Sequence, residues 1–432
     1  MRAALQAGVI GAMGVLSLVA WCAKAPAEEP PATVVLTLAE AVRLALSHQP
    51  TLLAARGTTE AQQALVGVAK SNLFPQVNVG AAFKHSTQNT FPAGNANSSA
   101  NATLSLQQLI FDFGKTGANV ESARKNMKGS ELNEENSRQT VVVNVKIAYY
   151  ALLAARHLKE VGEETVRQSK EHLDQAKGFY EAGTRTKFDV TNAEVTLTNA
   201  QLDLIKANNA VTIARVTLAN AMGVPNYPIG ELEELLTFEK MEITEEQALK
   251  EGLAARPDLL SLQAQRSAAE ASVRSAQRTN FPVLSGVADY VYSNGFGGDG
   301  YHFDHDWDVG ATLTLPIFSG FLIESQVAQA RANLTVIGAN EESLRQDVIL
   351  AIHTAYSTLV ETEERVKTAE VVVRQAQENL DLANGRFQAG VGTSIEQTDA
   401  QVLLANAKTS RIQALFDYRV AAAALLKAMG RE

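Results

Sequence analysis

Tyr180-Glu181-Ala182-Gly183 closes a stretch beginning at Lys115 that contains no proline, and Phe387-Gln388-Ala389-Gly390 closes another at an offset of 207 residues. The same offset relates Pro50-Thr51-Leu52 to Pro257-Asp258-Leu259, Phe74-Pro75 to Phe281-Pro282, Ile110-Phe111 to Ile317-Phe318, Tyr149 to Tyr356, and Ala221-Met222-Gly223 to Ala428-Met429-Gly430. A register kept over most of the chain means one structural unit written twice. Proline breaks helix interiors, so helices can be very long between Pro92 and Pro225 and beyond Pro316. At 1.5 Å per residue, Lys115 to Glu181 makes about 100 Å of helix; Gly117, Gly129, Gly162 and Gly178 weaken its propensity. A glycine placed for a left-handed cap ends each long helix, and return helices run from about Phe188 to Ala221 and from Ile395 to Ala428.

Working outward, each copy opens on a capping box, Thr37-Leu38-Ala39-Glu40 and Thr244-Glu245-Glu246-Gln247, whose hydroxyl and acid or amide can satisfy the first helical N–H groups. A helical stretch follows, broken near Pro50 and Pro257. Then comes period-two alternation, the mark of a strand with one apolar face. Val77, Val79, Ala81 and Phe83 alternate with Asn78, Gly80, Ala82 and Lys84; Val309, Ala311, Leu313 and Leu315 alternate with Asp308, Gly310, Thr312 and Thr314. The Asn-, Ser- and Gly-rich segments 88–101 and 293–306 read as long exposed hairpin loops. The spacing thus predicts a first repeat over 28–223 (hairpin 76–111, helical hairpin 115–221) and a second over 244–430 (hairpin 283–318, helical hairpin 321–428). A connector at 224–243, carrying Pro225, Pro228 and Gly230, joins them, with a short strand expected at Leu236 to Phe238.

Residues 1–27 read as an export signal: Arg2, an apolar run from Val9 to Trp21, and Ala25-Pro26-Ala27 as the cleavage site. A lipidated Cys22, the single cysteine, is the alternative, with bulky Trp21 against it. Without Arg2 and Lys24, 36 of the 38 basic residues face 47 acidic ones, a net charge of −11 that argues against nucleic acid as a partner. No later window holds about 20 apolar residues for a spanning helix, which leaves a closed β-barrel as the way across a membrane. Four strands are too few for a barrel, so the chain needs copies of itself. Polar positions Asn78, Lys84, Gln107 and Asp308 on the second strand face favour a wide, wet lumen of twelve or more strands.

The doubled unit, the Phe-Pro at the helix-to-strand step, and the turn Gly183-Thr184-Arg185-Thr186-Lys187-Phe188-Asp189 resemble the TolC family of outer membrane efflux proteins. The resemblance covers about Leu36 to Gly430. It implies a mainly α fold of duplicated long-helix hairpins forming an α-barrel tunnel, with four strands per chain contributing to a twelve-stranded trimeric β-barrel. It implies a homotrimer in the outer membrane bilayer that works with a periplasmic adaptor protein and an inner membrane transporter, with no catalytic chemistry and no cofactor. Asp189, Glu396 and Asp399 match positions where the family places carboxylates around the periplasmic aperture, and rings of such acids would favour cations. Thr186-x-x-Asp189 and Thr393-x-x-Glu396 also read as capping boxes, which makes Asp399 the cleaner aperture residue. Arg185 could pair with such a carboxylate; the family pattern has its arginine in the second copy, where this chain has Gly392. Gly183, Thr184, Gly390 and Val391 lie at the turns that the resemblance assigns to adaptor docking.

Amphipathic Tyr290, Tyr292 and Trp307 are candidates for a membrane-interface belt. His302-Phe303-Asp304-His305-Asp306 is the one cluster with metal-ligand chemistry, and it falls in an expected loop with no counterpart in the first copy; a solvated loop is the plainer reading. No Gly-x-Ser-x-Gly turn occurs, and the run Gly295 to Gly300 lacks the lysine of a phosphate loop. The rival to a channel is an envelope scaffold of helical hairpins with no continuous pore, which would not need four strands with one apolar face.

Overall fold

The computed structural model describes residues 35–88, 95–297 and 300–432, so the export-signal reading lies outside the described residues. The first half runs α1 (Leu38–His48), α2 (Pro50–Ser71), β1 (Gln76–Gln88), β2 (Asn95–Phe111), α3 (Lys115–Glu181) and α4 (Lys187–Ala221). The second half repeats the series as α5 (Glu245–Ala255), α6 (Pro257–Arg278), β3 (Val283–Gly297), β4 (Gly300–Thr314), α7 (Leu322–Gln388) and α8 (Ser394–Ala428). Both α3 and α7 have 67 residues, and both α4 and α8 have 35. The four glycines inside α3 do not interrupt it.

All four long helices end alike. Gly183, Gly223, Gly390 and Gly430 have φ near +75°, at 73°, 73°, 77° and 75°. The next amide then reaches back to the carbonyl five residues earlier: Thr184 to Phe179, Val224 to Ala219, Val391 to Arg386 and Arg431 to Leu426. This closure satisfies carbonyls that would otherwise be orphaned at a helix end. At Gly223 and Gly430 the reversal also brings two backbones together, and a Cβ there would lie 2.8 Å from the His48 carbonyl carbon and 2.9 Å from the Ala255 oxygen. The end of α4 therefore meets the start of α2, where the Gln49 side-chain amide donates to the Ala221 carbonyl at 3.1 Å, and the end of α8 lies against Ala255 and Arg256 at the start of α6. The short helices carry the return helices on toward the sheet.

Near the turns the long helices lie in the order α4, α3, α8, α7; nearer the sheet the order is α2, α3, α6, α7. The core sits where the connector wraps these helices. The buried Tyr149 hydroxyl donates to the carbonyls of Leu36 (2.8 Å) and Glu233 (3.1 Å), and Tyr418 donates to Glu239 (2.7 Å) and accepts from the Met241 amide (3.0 Å). Arg156 donates to the Gly230 carbonyl at 2.6 Å. These side chains take the place of a strand partner. The strand expected at Leu236 to Phe238 is absent, and the connector's one bridge joins Leu232 to Leu36. One window of α3 has the length and hydropathy of a membrane span, contrary to the reading above, but 61% of it is buried and it serves as core.

The strands form one antiparallel sheet in the order β1-β2-β3-β4. Its register gathers apolar residues on one face in cross-strand rows, Val77-Leu106-Ala288-Val309 and Val79-Leu104-Tyr290-Trp307. The other face carries Asn78-Ser105-Asp289-Asp308. The strands are longer than the alternation indicated. Asn95 to Asn101 pair with Ala82 to Gln88, and Ser293 to Gly297 with Gly300 to Asp304, so most of the two expected loops is ladder. Ladders need only backbone groups. An apolar band about 25 Å tall spans fewer residues than the 13 of β1, which rise about 43 Å at roughly 3.3 Å each, and beyond that band the strand has no reason to alternate.

Candidate functional site at the helical turns

At the end opposite the sheet, Phe387, the penultimate residue of α7, is only 2% exposed. The Phe179 ring meets it edge-on at 5.6 Å, and so does the His172 ring at 5.6 Å. The Arg185 guanidinium lies over it, 5.1 Å from the ring centroid, and donates to the Gly392 carbonyl at 2.7 Å. Arg185 therefore ties the α3–α4 turn to the α7–α8 turn through an aromatic face and a backbone oxygen, not through a carboxylate. The departure at 392 has a steric cause: a Cβ there would lie 2.9 Å from the Phe387 nitrogen and 3.0 Å from the Arg386 carbonyl carbon.

The three candidate acids differ in what they do locally. Asp189 accepts from the Thr186 amide (3.1 Å) and from its hydroxyl (2.9 Å), securing the start of α4. In α8 the Glu396 amide donates to the Thr393 hydroxyl at 3.2 Å, but the Glu396 carboxylate turns to Arg386 Nε at 3.3 Å. That exposed pair contributes about 0–1 kcal/mol. Asp399, a turn further on, is exposed and has no hydrogen-bond or ion-pair partner among the described residues. Gly183, Thr184, Gly390 and Val391 are all exposed at the turns. The space beside Gly183 and Gly390 is open, and Thr184 binds its hydroxyl back to the Phe179 carbonyl at 2.9 Å.

Behind the turns lies a set of buried polar groups that the sequence reading missed. His172 Nε2 is 3.2 Å from Ser394 Oγ, and Gln401 donates to Ser169 at 3.2 Å. Gln397, also on α8, donates to Asn384 at 2.8 Å. Burial holds the His172 ring below the usual histidine value, with Asp189 opposing.

In the sheet, Tyr290 and Trp307 are cross-strand partners on the apolar face, Trp307 being 74% exposed, and Tyr292 lies opposite His305 on the same face. Residues 302–306 belong to β4 and not to a loop. Among the described residues no group of three possible metal ligands exists.

A sheet with one apolar face and free edges, joined to helices of this length and doubled in sequence, defines a membrane channel-tunnel protein. The family model described as "Outer membrane efflux protein" matches residues 41–224 and 248–431, two segments at the same offset of 207, and the chain belongs to that family. It is 27% identical over 385 residues to the outer membrane protein TolC of Escherichia coli, covering 84% of this chain and 76% of TolC. It is 25% identical over 405 residues to the pyoverdine export outer membrane protein OpmQ of Pseudomonas aeruginosa, covering 89% and 83%. The crystal structure of the outer membrane protein VceC from Vibrio cholerae superposes with a TM-score of 0.79 at 21% identity, over 91% of this chain and 96% of that one. The protein is an outer membrane channel of the efflux and secretion type, with its helices extending into the periplasm.

Proposed function

We propose that three copies of this chain close head to tail into one duct, a twelve-stranded barrel in the outer membrane continued by a helical tunnel that opens at its periplasmic tip. The supporting observation is that both layers end in free edges. β1 and β4 each have one unpaired side. At the helical layer's edges, α4 exposes Ile205, Ile213 and Val216, and α7 exposes Leu350, Val360 and Leu382. An edge of one kind facing an edge of the other is a head-to-tail contact, which makes a closed ring when the rotation allows. Three copies suit the polar sheet face better than two, because an eight-stranded barrel is filled by side chains.

In this duct, three copies each of Asp189, Glu396 and Asp399 ring the aperture and favour cations, with Asp399 the principal contributor. Arg185 helps hold the aperture shut. The turns at Gly183, Thr184, Gly390 and Val391 meet a helical hairpin of a periplasmic adaptor, and an inner membrane transporter supplies the energy and selects the cargo. Tyr290, Tyr292 and Trp307 sit at the lipid interface.

The test is conductance of detergent-extracted protein in a planar bilayer, beside a variant with Asp189, Glu396 and Asp399 changed to Ala. Small cation-preferring steps whose preference is lost in the variant support the duct. A protein that inserts but conducts in neither form sinks it and leaves the envelope scaffold.

A further inference from the structure

We propose that His172 is a proton-operated latch between the two helical hairpins at the tip, and that acidification of the periplasm loosens it. The inference rests on the channel reading above. His172 lies on α3, in the first hairpin, and is 3% exposed. Its side-chain hydrogen bond and its contact with the Phe387 ring are both with the second hairpin. Nε2 faces the hydroxyl of Ser394, the first residue of α8 and 1% exposed, and the ring meets Phe387 at the end of α7. Nδ1 is buried with no partner. A neutral imidazole tolerates this, because one nitrogen donates and the other merely accepts; an imidazolium has two donors, and one of them would point at nothing.

The electrostatic surroundings add to this. The Arg185 guanidinium and the His172 ring both pack on Phe387. The other charged groups nearby are Asp189 at the start of α4, Arg167 and Glu171 on α3 and Asp381 on α7, the last three lining the same groove of about 360 Å³. Arg386 and Glu396 neutralise each other at the α7–α8 turn. Asp189 attracts the proton, but burial opposes it and prevails, so the closed tip keeps His172 neutral. When the hairpins part, the ring meets water and regains an ordinary affinity near pH 6.5. The open form then binds the proton more tightly than the closed form, and acid draws the equilibrium toward open. The gain is at most about tenfold per pH unit, within the window between the lowered closed-state value and roughly 6.5. The device belongs to one copy only, since the position 207 residues on is Asn379.

The experiment is hydrogen exchange read by mass spectrometry on the full chain in detergent at about pH 7.5 and about pH 5.5, either side of the histidine range, with intrinsic exchange rates divided out. Turns 179–189 and 386–396 are compared with the equatorial stretch 141–155, in the native protein and in H172Q. Glutamine can still bond Ser394 but cannot take up a proton; H172N serves if H172Q does not fold. We expect the native turns to lose protection several-fold in acid, the variant turns to lose none, and the equatorial stretch to hold steady. Equal loss in native protein and variant, or none in either, overturns the latch. Conductance at the same two pH values separates the two readings. Histidine-dependent loosening without current at either pH leaves the latch and removes the channel; current without histidine-dependent loosening does the reverse.

Discussion

Arg185 and Gly392 occupy equivalent positions in the two copies of the repeat, and the side chain of one binds the backbone of the other at 2.7 Å. The two turns are therefore held together by an asymmetry between copies: one site carries a long cation, and its twin lacks a side chain because none fits. We expect Arg185→Ala to remove a charged hydrogen bond to a carbonyl, worth about 1.5–3 kcal/mol in general, together with a cation–π contact of about 0.5–1 kcal/mol at a part-exposed site. The variant should conduct in larger steps in a planar bilayer, and Arg185→Lys should fall between it and the native protein.

The four capping glycines should separate into two classes. Gly183 and Gly390 have open space around them, so alanine there costs only the left-handed backbone, about 1–2 kcal/mol. Gly223 and Gly430 lie against the backbone of another helix end, so alanine adds a clash that no rotamer relieves. Melting temperatures should fall clearly further for Gly223→Ala than for Gly183→Ala; similar falls would contradict the close approach.

The sheet register predicts which strand positions tolerate charge. Lys at Val309 or Val79 falls in the apolar rows and should hinder insertion, at about 2–4 kcal/mol per residue near mid-membrane. Lys at Asn78 or Asp308, on the other face, should leave insertion intact. Fractionation of outer membranes from cells expressing each variant measures this directly.

Tyr149 predicts an alkaline limit on stability. Burial pushes its hydroxyl up to about 12, against an ordinary value near 10. The unfolded chain therefore releases this proton first, so the contribution is complete below about pH 10 and declines as pH rises through the folded value. Tyr149→Phe should lower stability at neutral pH by about 1–3 kcal/mol, because the Leu36 and Glu233 carbonyls lose a buried donor. It should also flatten the decline above about pH 10, which thermal melts across that range would reveal.

Much of the helical part was legible because its signals are local. The ends of α3 fall where proline-free sequence meets Gly114 and Gly183, and a glycine at positive φ is a property of one residue. The strand faces were legible wherever they cross an apolar layer, and unreadable at Asn95 to Asn101, where pairing continues through backbone bonds alone. The connector misled for a related reason: Leu236 and Phe238 are apolar because they pack against the core, not because they pair in a strand. At the tip, the Thr-x-x-acid spacing identified both caps but not that Glu396 turns away to Arg386.

By itself the sequence determined the duplication, the lengths of the helices, the positions of their turns and the existence of four strands with one apolar face. Each follows from spacing, proline placement or a single glycine, and so from chain conformation within a few residues. Only the tertiary structure decided that Arg185 finds the Gly392 carbonyl, that His172 lies sealed against Ser394 and Phe387, and that residues 302–306 belong to a strand and not to a loop. The partners at the tip are more than 200 residues apart and meet through helices whose contacting faces are mostly small residues. Such faces allow close packing in several registers, so which polar groups meet is set by how the two hairpins settle together and not by any local pattern in either.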